Sequence, residues 1–358
     1  MINNPRSFGR PVDGIRIPLW PFCVLAAFFL TLGPGGGCVL GAVPEHEIKL
    51  ATMAPENSSL MKIFREMNEE LLKETGGKVG FKMYAGFVLG DEEDVLRKLR
   101  VGMIHAAAFT STALTDLNPD LRVFQVPFLF SDYKEVDFVL GKMEADLKKG
   151  FANKGFHVLG WPEVGFIYFM SRVPISNLND LKGKRVWAKS NAPMLDALIQ
   201  KAGVSAVAIN APDVLVALQT NLLDVVYNSP YYAVVTQWYT QLKYVTNLPL
   251  SYIGGAVILD KKILAGIPGP LQETLRRVSE KHLRRVTEQT RKDNAESFQV
   301  ILKRGVFLVT PTADEIEEFK KVGDEAVMGL DPKLFPKDVF KKVKGWLSEY
   351  RTASDNPQ

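Results

Sequence analysis

Residues 90–110 read GDEEDVLRKLRVGMIHAAAFT: an acidic start, an apolar stripe at Val95, Leu96 and Leu99, a basic end, a glycine, then small and apolar residues. Acids in the first turn and bases in the last complement a helix macrodipole. Gly102 suits the left-handed residue that closes a helix. MIHAAAFT then predicts a strand. Much of this pattern returns 119 residues later, where Asp213-Val214-Leu215 and Leu218 match Asp94-Val95-Leu96 and Leu99, and Asn221 stands for Gly102. The second copy runs into LLDVVYNS, again strand-like. Two similar α/β lobes are the expectation.

The flanking sequence extends the alternation. IKLATM predicts a strand, and Ser58 or Ser59 caps a helix whose Leu60, Phe64, Met67 and Leu71 fall at helical spacing before Gly76-Gly77. VGFKMYA is a further strand. Alternating strands and helices argue a parallel sheet with helices over it, an α/β arrangement. In such sheets ligands collect at the carboxyl ends of strands. The loops Phe109-Thr110-Ser111 and Tyr227-Asn228-Ser229 are therefore expected to face each other across a cleft. Beyond Tyr252, Pro268-Gly269-Pro270 opens a charged helix to about Arg304, roughly 50 Å long if unbroken. A helix of that length is expected to brace both lobes. Helices at residues 314–328 and 336–350 finish the chain. The expected division is a leader at 1–42, lobe I at 43–160 and lobe II at 161–250. Residues 251–350 return to lobe I with the long helix and the C-terminal helices, and 351–358 form a tail.

Of 358 residues, 46 % are apolar and 23 % charged, an ordinary balance for a two-lobed chain with a sizeable core. Arg6, Arg10 and Arg16 precede an apolar run at residues 17–32 and then Gly33-Pro34-Gly35-Gly36-Gly37-Cys38, the layout of a secretory leader. Both cysteines, Cys23 and Cys38, lie in it, so no internal disulfide framework is expected. Two readings of its end stay open: lipidation at Cys38, or ordinary cleavage near Ala42. Without residues 1–37 the chain carries 41 basic against 39 acidic residues, interspersed, which is no nucleic-acid footprint. The four histidines, His46, His105, His157 and His282, form no metal-ligand spacing, and no nucleophile elbow or phosphate loop occurs. The acids at residues 91–94 read as a helix start. A binding protein with no cofactor, metal or catalytic residue is the simplest account, and an enzyme could call only on His105 and Glu56.

GDEEDVLRKLRVGMIHAA, VPFLFSDYKEV, LGWPEVGF, LNDLKGKRVW and VLVALQTNLLDVVYNSP occur in this order between residues 90 and 230. Together they resemble the DctP-type substrate-binding proteins of TRAP (tripartite ATP-independent periplasmic) transporters. The resemblance implies a periplasmic receptor of two Rossmann-like lobes joined by hinge strands, which close on a small organic solute bound in the cleft. The closed form would then dock on the small and large membrane permease subunits. Typical members carry an arginine four residues beyond the glycine of the DLKG motif, where it pairs with an acid's carboxylate, a task suited to arginine's fork. Here that position is Trp187. A second common arginine position is Ile167. A metal-using branch has an acid and a tryptophan where this chain has Tyr227-Asn228.

In DLKGKRVWAKSN, residues 180–191, strand alternation sets Arg185, Trp187 and Lys189 on one side. Arg185 is expected to be peripheral. Trp187 is expected at the ligand, with packing in the lobe II core as the alternative, and Lys189 could replace the missing arginine as a point charge, with a plain surface lysine as its alternative. Trp161, Phe166, Tyr168, Tyr227, Tyr231 and Tyr232, with Phe109, Thr110, Asn228, Glu56 and Asn57, complete a pocket richer in rings than in charge. The ligand expected is more apolar than a simple dicarboxylate. The rivals are a periplasmic sensor feeding a signalling receptor, and an organic-acid binder using Lys189.

Overall fold

The computed structural model describes residues 43–86, 88–188 and 192–355, so the expected leader with its two cysteines, Lys189 and the last three residues lie outside it. In chain order come β1 (His46–Thr52), α1 (Ser59–Glu74), β2 (Val79–Tyr84), α2 (Glu92–Arg100), β3 (Ala106–Thr110), α3 (Ser111–Leu114), α4 (Tyr133–Asn153), β4 (Phe156–Gly160) and β5 (Glu163–Ser171). Then follow β6 (Arg185–Ala188), α5 (Pro193–Lys201), β7 (Ser205–Ala208), α6 (Val214–Gln219), β8 (Val225–Asn228), α7 (Pro230–Val235), β9 (Tyr244–Thr246) and β10 (Ser251–Asp260). The C-terminal part adds α8 (Lys261–Ala265), α9 (Gly269–Lys303), β11 (Phe307–Val309), α10 (Ala313–Met328) and α11 (Lys337–Asp355).

Local chemistry accounts for the boundaries. Ser58 accepts from the Met61 amide at the start of α1, and the chain leaves that helix through Gly76 and Gly77 at φ of 59° and 80°. Asp91 and Asp94 form a capping box on α2. Gly102 and Asn221 both take the left-handed conformation, at φ of 73° and 58°, as their places after α2 and α6 require. The strand expected from MIHAAAFT is shorter than its sequence, because Met103 is exposed and only Ala106–Thr110 pairs.

Strand order along the sheet is β2-β1-β3-β10-β5-β8-β6-β7. One parallel half is β2-β1-β3 and the other is β8-β6-β7, each with its first strand in the middle. The sequence echo is thus an echo of topology, and the architecture is two-lobed α/β. β5 and β10 run antiparallel across the junction, with Tyr252 opposite Phe166 and Ile253 opposite Gly165. Two apolar cores, one on each side of the lobe I sheet, centre on Phe124, Phe151 and Leu99 and on Ile48, Met67 and Leu275, whereas Trp187, Trp238 and Leu218 centre a third in lobe II.

The 35-residue α9 packs on α1, β4, β5 and α7, so it braces both lobes. The return of residues 251–350 to lobe I is more divided than expected. β11 pairs with β9 and α10 packs on α5, with Phe319 buried in the lobe II core, before α11 comes back to α4. The expected tail is also shorter, since α11 continues to Asp355. The helix is prolonged where Arg351 is held by the buried Glu135 carboxylate at 2.7 Å.

Candidate functional site

At the carboxyl end of lobe I's strands, β3 delivers Phe109 and Thr110. Phe109 turns into the core at 3 % exposure, while Thr110 is half-buried. The Glu92 carboxylate accepts from the Thr110 amide at 2.5 Å and from its hydroxyl at 2.8 Å. A carboxylate therefore stands at this strand end, supplied by the first residue of α2. In the sequence alone, Glu92 shows itself only as an acid suited to a helix start. Glu56 and Asn57 follow β1 on an exposed loop, with Glu56 paired to Arg65. His105 lies just before β3, its Nδ1 3.2 Å from the Lys49 amide and from the Glu47 carbonyl. It is therefore at the opposite end of the sheet from Glu56, and the two do not form a reactive pair.

Lobe II presents a different surface. Tyr168 on β5 stands opposite Asn228 on β8, and both are half-buried. The Tyr168 ring packs edge-on against Phe298 of α9 at 5.4 Å, and burial pushes its phenol up to about 12. Asn228 Oδ1 accepts from the Ser229 amide at 2.8 Å. Tyr231 donates its amide to Asn294 Oδ1 of α9 at 3.1 Å. Its phenol is raised by burial and by the Asp293 carboxylate.

Trp187, expected at the ligand, packs in the lobe II core. It is 1 % exposed, and its indole N–H donates to the Ile209 carbonyl at 2.8 Å. Its ring meets Tyr227 at 5.1 Å and Trp238 at 5.2 Å, and Trp238 in turn meets Tyr232 at 5.2 Å. The packing alternative describes this geometry: four rings join β6, β8 and α7, and the one polar atom of the indole is already satisfied. Ile167, at the second arginine position, is likewise in the lobe II core at 4 % exposure. Phe166 packs with Tyr133 and Tyr252 at 4.8 and 5.6 Å. Trp161 turns towards α4, donating to Glu144 at 3.0 Å. Both belong with Tyr168 to the apolar cluster of lobe I. Arg185 is exposed and forms a two-pronged pair with Asp224 at 2.8 and 2.7 Å. Lys189 is outside the described residues.

The junction between the lobes holds its own charged cluster. Glu163, at the start of β5, accepts from Arg291 of α9 at 3.0 and 2.9 Å and from the Tyr252 hydroxyl at 2.8 Å. Arg291 also reaches Asp137 of α4 at 2.7 and 2.6 Å and lies over the Tyr133 ring. Along the outer side, a groove between α1 and α9 is lined by Glu66, Glu70, His282 and Arg285, whose side chains pair with one another or with Lys281. Among the described residues no three histidine, cysteine or acidic side chains gather as a metal site, and no helix is long and apolar enough to cross a membrane.

Residues 50–330 match the family model described as bacterial extracellular solute-binding protein, family 7 (DctP). The 2,3-diketo-L-gulonate-binding periplasmic protein YiaO of Escherichia coli is 26 % identical over 78 % of this chain and 80 % of its own length. The C4-dicarboxylate-binding periplasmic protein DctP of Rhodobacter capsulatus is 23 % identical over 75 % of this chain and 84 % of its own. Among solved structures, a TRAP periplasmic solute-binding protein from Ochrobactrum anthropi superposes with a TM-score of 0.79 at 20 % identity, covering 88 % of this chain and 99 % of that one. The chain belongs to family 7 of the bacterial extracellular solute-binding proteins, the DctP-type receptors of TRAP transporters.

Proposed function

We propose that this receptor takes a small organic solute held chiefly by uncharged donors, acceptors and ring edges, and delivers it from the periplasm to the small and large permease subunits. One observation carries the reading: Trp187, where the resemblance implies an arginine, is a core residue whose indole N–H is spent on Ile209. Ile167, at the second such position, is also buried. A bidentate clamp for a carboxylate has no counterpart at these two places. Thr110, Tyr168, Asn228 and Tyr231 remain at the strand ends, with Glu56 and Asn57 on the loop after β1. Trp187 and Tyr227 support them from behind. Lobe closure would follow from tighter solute binding in the closed form than in the open one.

A melting titration of the protein, after removal of co-purified ligand by unfolding and refolding, tests this. The panel contains succinate, 2,3-diketo-L-gulonate, apolar monoacids and neutral polyols. A solute at a hundred times its Kd adds about 2.7 kcal/mol, which corresponds to a rise of roughly 4 °C for a chain of this size. The expected result is a rise with an apolar acid or a neutral compound and none with succinate. A succinate shift abolished by Lys189→Met would overturn the proposal in favour of an organic-acid binder with lysine as its cation.

A further inference from the structure

Two neighbouring residues of α9 reach the loops of both lobes. Asp293 accepts from the hydroxyl of Ser59, the first residue of α1, at 2.6 Å, and is itself steadied by Gln289 at 2.7 Å. Ser59 begins the helix that follows the Glu56-Asn57 loop of lobe I. Asn294, buried at 5 % exposure, uses both ends of its amide. Its Nδ2 donates to the Val164 carbonyl on β5 at 2.8 Å, and its Oδ1 accepts from the Tyr231 amide on α7 at 3.1 Å.

The surroundings are built for this contact. Gly165, next to Val164, has φ of 93°, and a Cβ there would lie 2.8 Å from Asn294 Nδ2 and 2.6 Å from the Tyr133 hydroxyl. Only glycine lets the crossing strand come so near. At the start of α7, Pro230 has no amide hydrogen, the Ser229 amide goes to Asn228, and the Tyr232 amide goes to Ser229 at 3.3 Å. Tyr231 alone sends its amide outside the loop, to α9. A planar amide bonded at both ends tolerates little change in the distance between its partners.

We infer that Asn294 is a positioning residue. It fixes the 228–231 loop of lobe II to the crossing strand β5, while Asp293 fixes the first turn of α1 in lobe I, so that one helix sets how the two loops stand relative to each other. That these loops face bound solute rests on the proposed function. The bonding itself does not.

Hydrogen exchange on the full chain, with fragmentation that isolates the Tyr231 amide, tests the inference without any solute. Asn294→Ala is expected to speed exchange at Tyr231 at least tenfold and to leave the α1 amides at residues 62–71 unchanged. Asn294→Asp keeps the acceptor and loses the donor, so Tyr231 should stay within about threefold of the wild type while the β5 amides at residues 164–166 exchange faster. Ser59→Ala should loosen the first turn of α1 and leave Tyr231 alone. An unchanged Tyr231 rate in Asn294→Ala overturns the inference. So does a uniform acceleration across α7, β5 and α9, which would mean general support of the fold. Should Asn294→Ala not fold, loss of Tyr231 protection in Asn294→Asp overturns it as well. A solute panel with no hit would defeat the proposed function and leave these rates standing.

Discussion

The ring cluster around Trp187 and the charged cluster around Glu163 are buried alike, at 1 % exposure for the tryptophan and for the glutamate side chain, yet they are held by opposite means. Trp187 gains from apolar area and edge contacts, and has one hydrogen bond, to Ile209. Glu163 has its charge matched by Arg291 and its remaining capacity taken by Tyr252. Burial outweighs these bonds and pushes the Glu163 carboxyl up, so the cluster costs desolvation and returns geometry. Burial also draws the Arg291 guanidinium down, but Asp137 and Glu163 outweigh it and keep it charged. The difference locates an arginine in this receptor. Where the family resemblance implies one, this chain has packed a ring; where its strands cross, a fork-shaped cation ties α9 to both α4 and β5.

The comparison breaks most readily at Arg291. Arg291→Met leaves the buried Glu163 carboxyl with only Tyr252 for company, and is expected to cost about 3–5 kcal/mol in urea unfolding. Adding Glu163→Gln to it should recover much of that loss, since the neutral amide still accepts from Tyr252. Equal instability of the single and double variants would show that the arginine acts by its aliphatic bulk over Tyr133, and the contrast with the ring cluster would vanish.

The ring cluster yields to size first and polarity second. Trp187→Ala opens a cavity among Tyr227, Trp238 and the strands and should cost about 3–4 kcal/mol. Trp187→Phe keeps most of the volume, strands the Ile209 carbonyl and should cost about 1–2 kcal/mol. Both are read from urea midpoints at pH 7. If Trp187→Ala were as stable as the wild type, the indole would not be part of this core, and its expected place against solute would return.

These two clusters also mark where local pattern stopped being informative. The α2–β3 unit and its echo were legible because the helix stripe, the dipole charges and the left-handed Gly102 and Asn221 all act within one turn or strand. α9 was legible from Pro268-Gly269-Pro270 and its length. Period-two alternation also put Arg185 and Trp187 on one side of β6. It could not say that one ends in solvent with Asp224 and the other in the core, because Ile209, Tyr227 and Trp238 come 22, 40 and 51 residues later. Glu163 needs Arg291, 128 residues on. Phe128 is harder still. It sits at φ of 60° with its ring on Phe319 at 5.0 Å, a left-handed phenylalanine that only the assembled lobe II core can hold in place. Partner identity, not element type, was the missing information.

The smallest effect sets two carboxylates along α9 against each other by pH. Glu70 on α1 is held down to about 2, first by its hydrogen bond from Lys281 and then by that from His282. Its unfolded value is near 4.5, so its stabilising contribution is complete above about 4.5 and disappears as pH falls from there through about 2. With 24 % of the side chain exposed, solvent screening keeps that contribution to about 1 kcal/mol or less. Glu163 is shifted upward, so its own titration has the opposite sign: stability is lost as pH rises above the unfolded value towards the folded one. Urea midpoints at pH 2.5, 3.5, 4.5 and 6 separate the two. Glu70→Gln should flatten the decline below pH 4.5 and leave the profile above it alone. Glu163→Gln should remove the loss above pH 4.5 and leave the acid limb in place. Identical profiles for the two variants would mean that the acid limb belongs to other carboxylates, and that the outer groove between α1 and α9 has no measurable part in holding the brace to lobe I.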